Sequence, residues 1–184
     1  LKAITLHGDK SIALLLLSVL YAYLNDLSNE EKCYLKMLEI DPNDITALLR
    51  LGDLYLEKRQ PIKALRYINM AEKVEQTLDG KQLRARAFFM LKRYMHVIDI
   101  LNPVLAKNLG NWEAWNLLGK AYVSLRLYKA ALSAFKMSVL LNIFDDVAWM
   151  EMGKIYILKN NLHEAQKCFR NAIIINPKNE KMIR

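Results

Sequence analysis

Apolar residues recur along almost the whole chain at the three- and four-residue spacing of amphipathic helices. The pattern is itself periodic. Gly119 and Gly153 stand 34 residues apart. The chain around the first reads Trp115, Leu118, Gly119, Tyr122, Ala131, Phe135, and around the second Trp149, Met152, Gly153, Tyr156, Ala165, Phe169, Pro177. Around Gly52 it reads Leu48, Leu51, Gly52, Tyr55, Ala64, Ile68, Ala71. Each stretch predicts two helices, with small residues where two backbones must approach closely and a tyrosine filling the space between neighbours.

Two weaker copies fill the gaps. Residues 11–44 carry Leu14, Leu17, Ser18, Tyr21, Tyr34 and Pro42, with Ser18 where the others have glycine. Residues 78–111 carry Ala85, Phe88, Tyr94, Val97 and Leu101, with Lys81 at the Trp position and Arg84 in place of an apolar anchor. That unit is expected to be the least regular. The resulting frame is a lead-in over 1–10, one array of units 11–44, 45–77, 78–111, 112–145 and 146–179, and over 180–184 the start of a further helix or a cap. Asn43 or Asp44, Asp79, Asn111 and Asp145 fall where N-caps are needed. Pro42 and Pro177 close second helices. One such unit cannot bury its apolar face alone, so the stack is the folding unit.

The motif W-x2-L-G-x2-Y, then A-x3-F, then P, resembles that of the tetratricopeptide repeat family. The resemblance covers nearly the whole chain. It implies an all-α fold, a right-handed α-solenoid of about five helix pairs. It implies a protein-interaction module of scaffold, adaptor or chaperone type, which takes a peptide or helix of a partner in a concave groove. It also implies that the second, fifth, ninth, twelfth and thirteenth positions of each unit face that groove.

At the ninth position, Arg86, Lys120 and Lys154 succeed one another as a basic ladder. Phe89, Met90 and Ile157 lie one turn further along as apolar contacts, and Gln82 and Asn116 as hydrogen-bonding groups for a peptide backbone. These eight residues are the expected partner site, and the expected partner is an acidic or amphipathic protein segment. The alternative site is the apolar first unit around Leu15, Val19 and Tyr23. Against the ladder stands a plain solvated face; against the patch stands a covering helix.

Composition narrows the picture. The chain has 184 residues, 53% hydrophobic and 25% charged, with only six glycines and four prolines. That excludes disordered, collagen-like and turn-rich all-β readings. Two cysteines rule out a disulfide scaffold or a four-cysteine metal site; Cys33 and Cys168 read as packing thiols. A formal charge of +8 favours acidic partners. Nucleic-acid binding, as an RNA-binding helical repeat, is the alternative it permits. It is disfavoured because the basic residues are spread over all units and no aromatic alternates with them along the groove. Self-assembly through terminal repeats is the other alternative, as a homo-oligomer or as part of a larger chain.

Catalytic chemistry has nothing to start from. His7, His96 and His163 are scattered, His163-Glu164 lacks the second histidine of a zincin helix, and there is no glycine-rich phosphate loop. No enzyme activity, cofactor or metal is expected. A two-carboxylate clamp for a C-terminal peptide needs Lys and Asn at positions five and nine, where this chain has Leu15/Val19, Leu49/Asp53 and Gln82/Arg86.

The ends carry two expectations. A chain starting at Leu1 reads as a piece of a longer one, and the apolar 172–175 stretch reads as an end awaiting further chain or a partner. The run Ser11–Tyr23 resembles a signal-peptide core but is too short to span a bilayer, and it fits the repeat frame. A cytoplasmic location is expected.

Overall fold

The computed structural model describes the backbone of residues 2–183 and the side chains of residues 10–181. The side chain of His7 and the terminal residues Leu1 and Arg184 lie outside these. Every regular element among the described residues is helical: α1 (Lys2–Tyr23), α2 (Leu27–Ile40), α3 (Ile45–Glu57), α4 (Pro61–Val74), α5 (Leu78–Met90), α6 (Tyr94–Lys107), α7 (Trp112–Ser124), α8 (Tyr128–Leu141), α9 (Asp146–Leu158) and α10 (Leu162–Ile175), then a 3-10 turn (Pro177–Asn179) and the short α11 (Glu180–Ile183). From α3 to α10, helices of 13 and 14 residues alternate as the first and second members of the helix pairs of a solenoid. Residues 2–10 continue α1 as helix instead of forming a separate lead-in. No helix among the described residues is long and apolar enough to cross a membrane.

The turn inside each pair is built the same way. Asn25, Arg59, Lys92, Arg126 and Asn160 each take a left-handed backbone, with φ between 55° and 60°. They occupy one position of the frame, repeated at intervals of 33 or 34 residues. A left-handed residue reverses the chain directly after a helix, and in the pairs α1/α2, α3/α4, α7/α8 and α9/α10 the second helix folds back along the first. Asn25 and Asn160 suit that conformation; Arg59, Lys92 and Arg126 hold it against their own preference.

The turn between pairs is set by side-chain caps. Asp44, Asn111 and Asp145 accept hydrogen bonds from the backbone N–H groups of Ala47, Ala114 and Ala148. In the third unit the expected cap is corrected: Thr77 accepts from Gly80 N–H, and Asp79 sits inside the first turn of α5. A hydroxyl three residues before an N–H serves as well as a carboxylate. The indoles of Trp115 and Trp149 donate to the carbonyls of Leu109 and Ile143, both at 3.0 Å. Each tryptophan thereby pins the loop that leads into its own helix.

By its packing the chain divides into two compact units, Leu1–Leu91 and Lys92–Arg184. The division falls inside the weakest repeat, between α5 and α6. The first unit's core gathers Tyr34, Met37, Leu51, Leu54, Tyr55 and Ile68 around Ala47, Ala64 and Ala87. The second unit's core includes Phe135, Met152, Ile155 and Cys168 around Ala131 and Ala148. A Cβ on Gly119 would lie 2.6 Å from the Phe135 ring, and one on Gly153 2.5 Å from Phe169. Both glycines are small because an aromatic ring of the paired helix occupies the space. α5 is as long as α3, α7 and α9, at 13 residues, so the third unit is not irregular there. Arg84 at its apolar-anchor position is neutralised by Glu72 of α4 at 2.7 Å.

Candidate functional site

α3 and α5 are in contact within the first unit. Residues three or four apart on a helix share a face, so α3 presents Thr46, Leu49 and Asp53, and α5 presents Asp79, Gln82 and Arg86. These six line one cleft of about 490 Å³, together with Ile45, Arg50, Thr77 and Leu83. They are the second, fifth and ninth positions of their two units. Apolar walls alternate with groups of both charges. Arg86 Nη1 donates to Asp53 Oδ1 at 2.7 Å across the cleft. The pair is partly solvated, with the arginine side chain 47% exposed, so it holds the rim together only weakly.

The expected residues of the second unit lie on α7 and α9. Asn116 is corrected: it is buried, and its side-chain nitrogen donates to Asp145 Oδ2 at 2.6 Å. That places it in the structural network of the α9 cap, where its nitrogen is committed before any peptide arrives. Ser138 Oγ lies 2.6 Å from the same carboxylate oxygen. Lys120 is half-buried. Burial pushes its ammonium pKa down, while the carboxylates of Asp145, Glu151 and Asp146 act in the opposite sense. Lys154 is exposed and donates to Glu151 at 2.7 Å, one turn away on its own helix. Each member of the basic ladder therefore has carboxylates beside it on the protein.

The apolar members are placed differently from one another. Met90 is exposed at the end of α5 and Phe89 half-buried. Ile157 is exposed but turns toward α10, where it joins Leu162, Ala165, Phe169 and Ile173 around a hollow. The twelfth position varies in exposure from unit to unit: Leu56, the counterpart of Phe89 and Ile157, is 4% exposed, and Val123 packs against the second core. On α1, Leu15 packs against the first core, whereas Val19 and Tyr23 stand 60% and 87% exposed.

Sequence reasoning passed over Arg50, Thr77 and Leu83 as cleft residues. Their only signal is adjacency to a groove position. It also took Asp145 as a cap alone and missed that its second oxygen is held by Asn116. Cys33 and Cys168 are buried and free. Burial pushes both thiols up, Cys168 to about 11, which suits packing residues rather than nucleophiles.

Family profiles described as tetratricopeptide repeat match residues 12–44 and 113–142, 33–66, and 147–179. No curated protein sequence matches the chain. Among solved structures it is similar to MamA, with 24% identity, 89% of this chain and 96% of that chain covered, and a TM-score of 0.75. It is similar to YrrB, described as a TPR protein with an unusual peptide-binding site, with 22% identity, 96% and 91% covered, and a TM-score of 0.70. It is also similar to PilF of Pseudomonas aeruginosa, with 16% identity, 92% and 78% covered, and a TM-score of 0.82. These likenesses are of fold. With the glycine-to-ring packing of Gly119 on Phe135 and Gly153 on Phe169, and profile matches spanning more than half the residues, the chain belongs to the tetratricopeptide repeat family.

Proposed function

We propose that the chain is a protein-interaction module that takes an amphipathic segment of a partner, with an acidic group in it, along the first helices of its repeats. The observation that carries this reading is the cleft between α3 and α5. It offers apolar contact at Leu49 and Leu83, a hydroxyl and an amide at Thr46 and Gln82, and two cations, Arg50 and Arg86, the second held by a partly solvated carboxylate. A partner's carboxylate competes with Asp53 for that guanidinium, and such charge-assisted bonds give direction while the apolar contacts give affinity. The peptide-binding site named for YrrB supports the class of partner.

Lys120, Lys154, Phe89 and Met90 belong to the proposal as further groove positions. Their charges are partly answered by Glu151 and its neighbours, so they contribute less than their number suggests. Scaffold, adaptor and chaperone roles all use such a groove.

The test is selection of peptides from a displayed library on the parent chain. Binding is then compared on a Gln82→Ala, Arg86→Glu variant of unchanged helicity. Selected peptides should be amphipathic with acidic positions, and should lose roughly tenfold in affinity, about 1.4 kcal/mol. Peptides that bind parent and variant alike, at low and high salt, would place the site elsewhere. Preferential capture of single-stranded RNA with a steep salt dependence would replace this reading with the nucleic-acid one.

A further inference from the structure

The cleft between α3 and α5 has two unlike ends. A Cβ on Gly80 would lie 3.5 Å from Leu49 Cδ2, and Arg86 Nη1 lies 2.7 Å from Asp53 Oδ1. Position 49 thus meets 80 and position 53 meets 86, so the two helices run the same way and their N-terminal ends share one end of the cleft. Asp79 stands at that end, Arg50 in the middle, and Asp53 with Arg86 at the other. Seven residues separate Asp79 from Arg86. At the rise of an α-helix that is about 10 Å along the cleft.

The four charged side chains of the cleft sum to zero, but only Asp53 and Arg86 answer each other. Asp79 and Arg50 are exposed, and among the described residues neither belongs to an ion pair. An unanswered anion and an unanswered cation in one cleft select a ligand that brings the opposite charge to each. The space is also narrow. α3 and α5 touch, and the axes of touching helices stand about 8–10 Å apart, whereas a helix with its side chains is roughly 10–12 Å across. A space of about 490 Å³ between them suits an extended chain, which needs only about 5 Å beside its neighbour.

Resting on the peptide reading of this cleft, we propose that its ligand is an extended segment that is charge-balanced rather than acidic, with a basic side chain on Asp79 and an acidic one at Arg50 and Arg86. An extended chain rises about 3.3 Å per residue, so the two charges stand two or three residues apart. A segment with two acids or two bases at that spacing sets a like charge against one end of the cleft and is rejected there. Asp79 is therefore a specificity residue, although it lies outside the basic ladder.

The test is selection from a displayed library of random peptides on the full chain, and in parallel on Asp79→Lys and Arg50→Glu variants shown by circular dichroism to keep their helicity. Asp79→Asn, which should select neither charge at its end, serves if lysine lowers helicity. Peptides taken by the parent should carry a basic and an acidic residue two or three apart. The Asp79→Lys chain should select an acidic residue in place of the basic one, and the Arg50→Glu chain a basic residue in place of the acidic one. On either variant a parent-selected peptide should lose roughly two- to fivefold in affinity by fluorescence anisotropy, the range of a partly solvated ion pair. It should regain that loss when its own facing charge is reversed. Peptides that are uniformly acidic, weaken on the Gln82→Ala, Arg86→Glu chain and ignore Asp79→Lys overturn this proposal and leave the peptide reading standing. So do peptides whose two charges stand seven residues apart, the spacing of a bound helix face. Peptides indifferent to every variant place the ligand outside the cleft and overturn both.

Discussion

The side-chain nitrogen of Asn116 on α7 donates to Asp145 Oδ2 at 2.6 Å, while Oδ1 of the same carboxylate caps α9 through Ala148 N–H. One buried carboxylate thereby ties the first helix of one repeat to the first turn of the next. Asn116→Ala removes a donor from a buried acceptor. We expect a loss of about 1–3 kcal/mol in stability, read by denaturant midpoint. A variant as stable as the parent would show that the carboxylate finds water instead.

Gly119 faces the ring of Phe135 with no room for a methyl group, whereas a Cβ at Gly110 would meet only Asn108 Oδ1 at 3.5 Å. Gly119→Ala should cost about 1–3 kcal/mol through overpacking, despite alanine's better helix propensity. Gly110→Ala should change stability by less than about 0.5 kcal/mol. Thermal melts of the two variants decide this, and equal melting temperatures would contradict the packing role of Gly119.

Arg126 is exposed and holds a left-handed backbone with φ 60° between α7 and α8. A branched or long L-residue pays about 1 kcal/mol there, and asparagine or glycine pays less. Arg126→Asn should therefore raise the melting temperature by a few degrees, near the low end for a chain of this size. Asn25 and Asn160 already stand at the equivalent positions. A variant that melts lower would mean that the arginine side chain contributes more than its backbone costs.

Asp146 Oδ2 accepts hydrogen bonds from Asn176 at 2.8 Å and Asn179 at 2.9 Å. Burial works to raise the carboxyl pKa, but the bonds from Asn179 and Asn176 outweigh it and hold Asp146 below the usual range. A depressed carboxyl stabilises the fold above its unfolded pKa, near 3.9, and that contribution is lost as pH falls through the lower folded value. The parent should lose stability more steeply than an Asn176→Ala, Asn179→Ala variant as pH drops from about 5 toward 2. Parallel acid profiles would remove Asp146 from the account.

The sequence by itself determined the helices, their pairing and their period. These are local or repeated properties: apolar spacing, N-cap residues and small residues at fixed intervals are visible along the chain. Position nine could be read the same way, because Asp53 and Arg86 sit where the period puts them. Tertiary structure decided what those side chains do. Asn116 has the spacing of a groove residue, but the buried Asp145 of the next repeat claims its nitrogen. Ile157 shares its position with the buried Leu56, yet it stands 51% exposed beside the hollow along α10. Thr77 replaced Asp79 as a cap because a hydroxyl two residues earlier reached the free N–H first. Hydrogen-bond partners, ion pairs and the covering of an apolar edge depend on residues about 30 positions away. A periodic sequence says that such neighbours exist; only packing says which atom meets which.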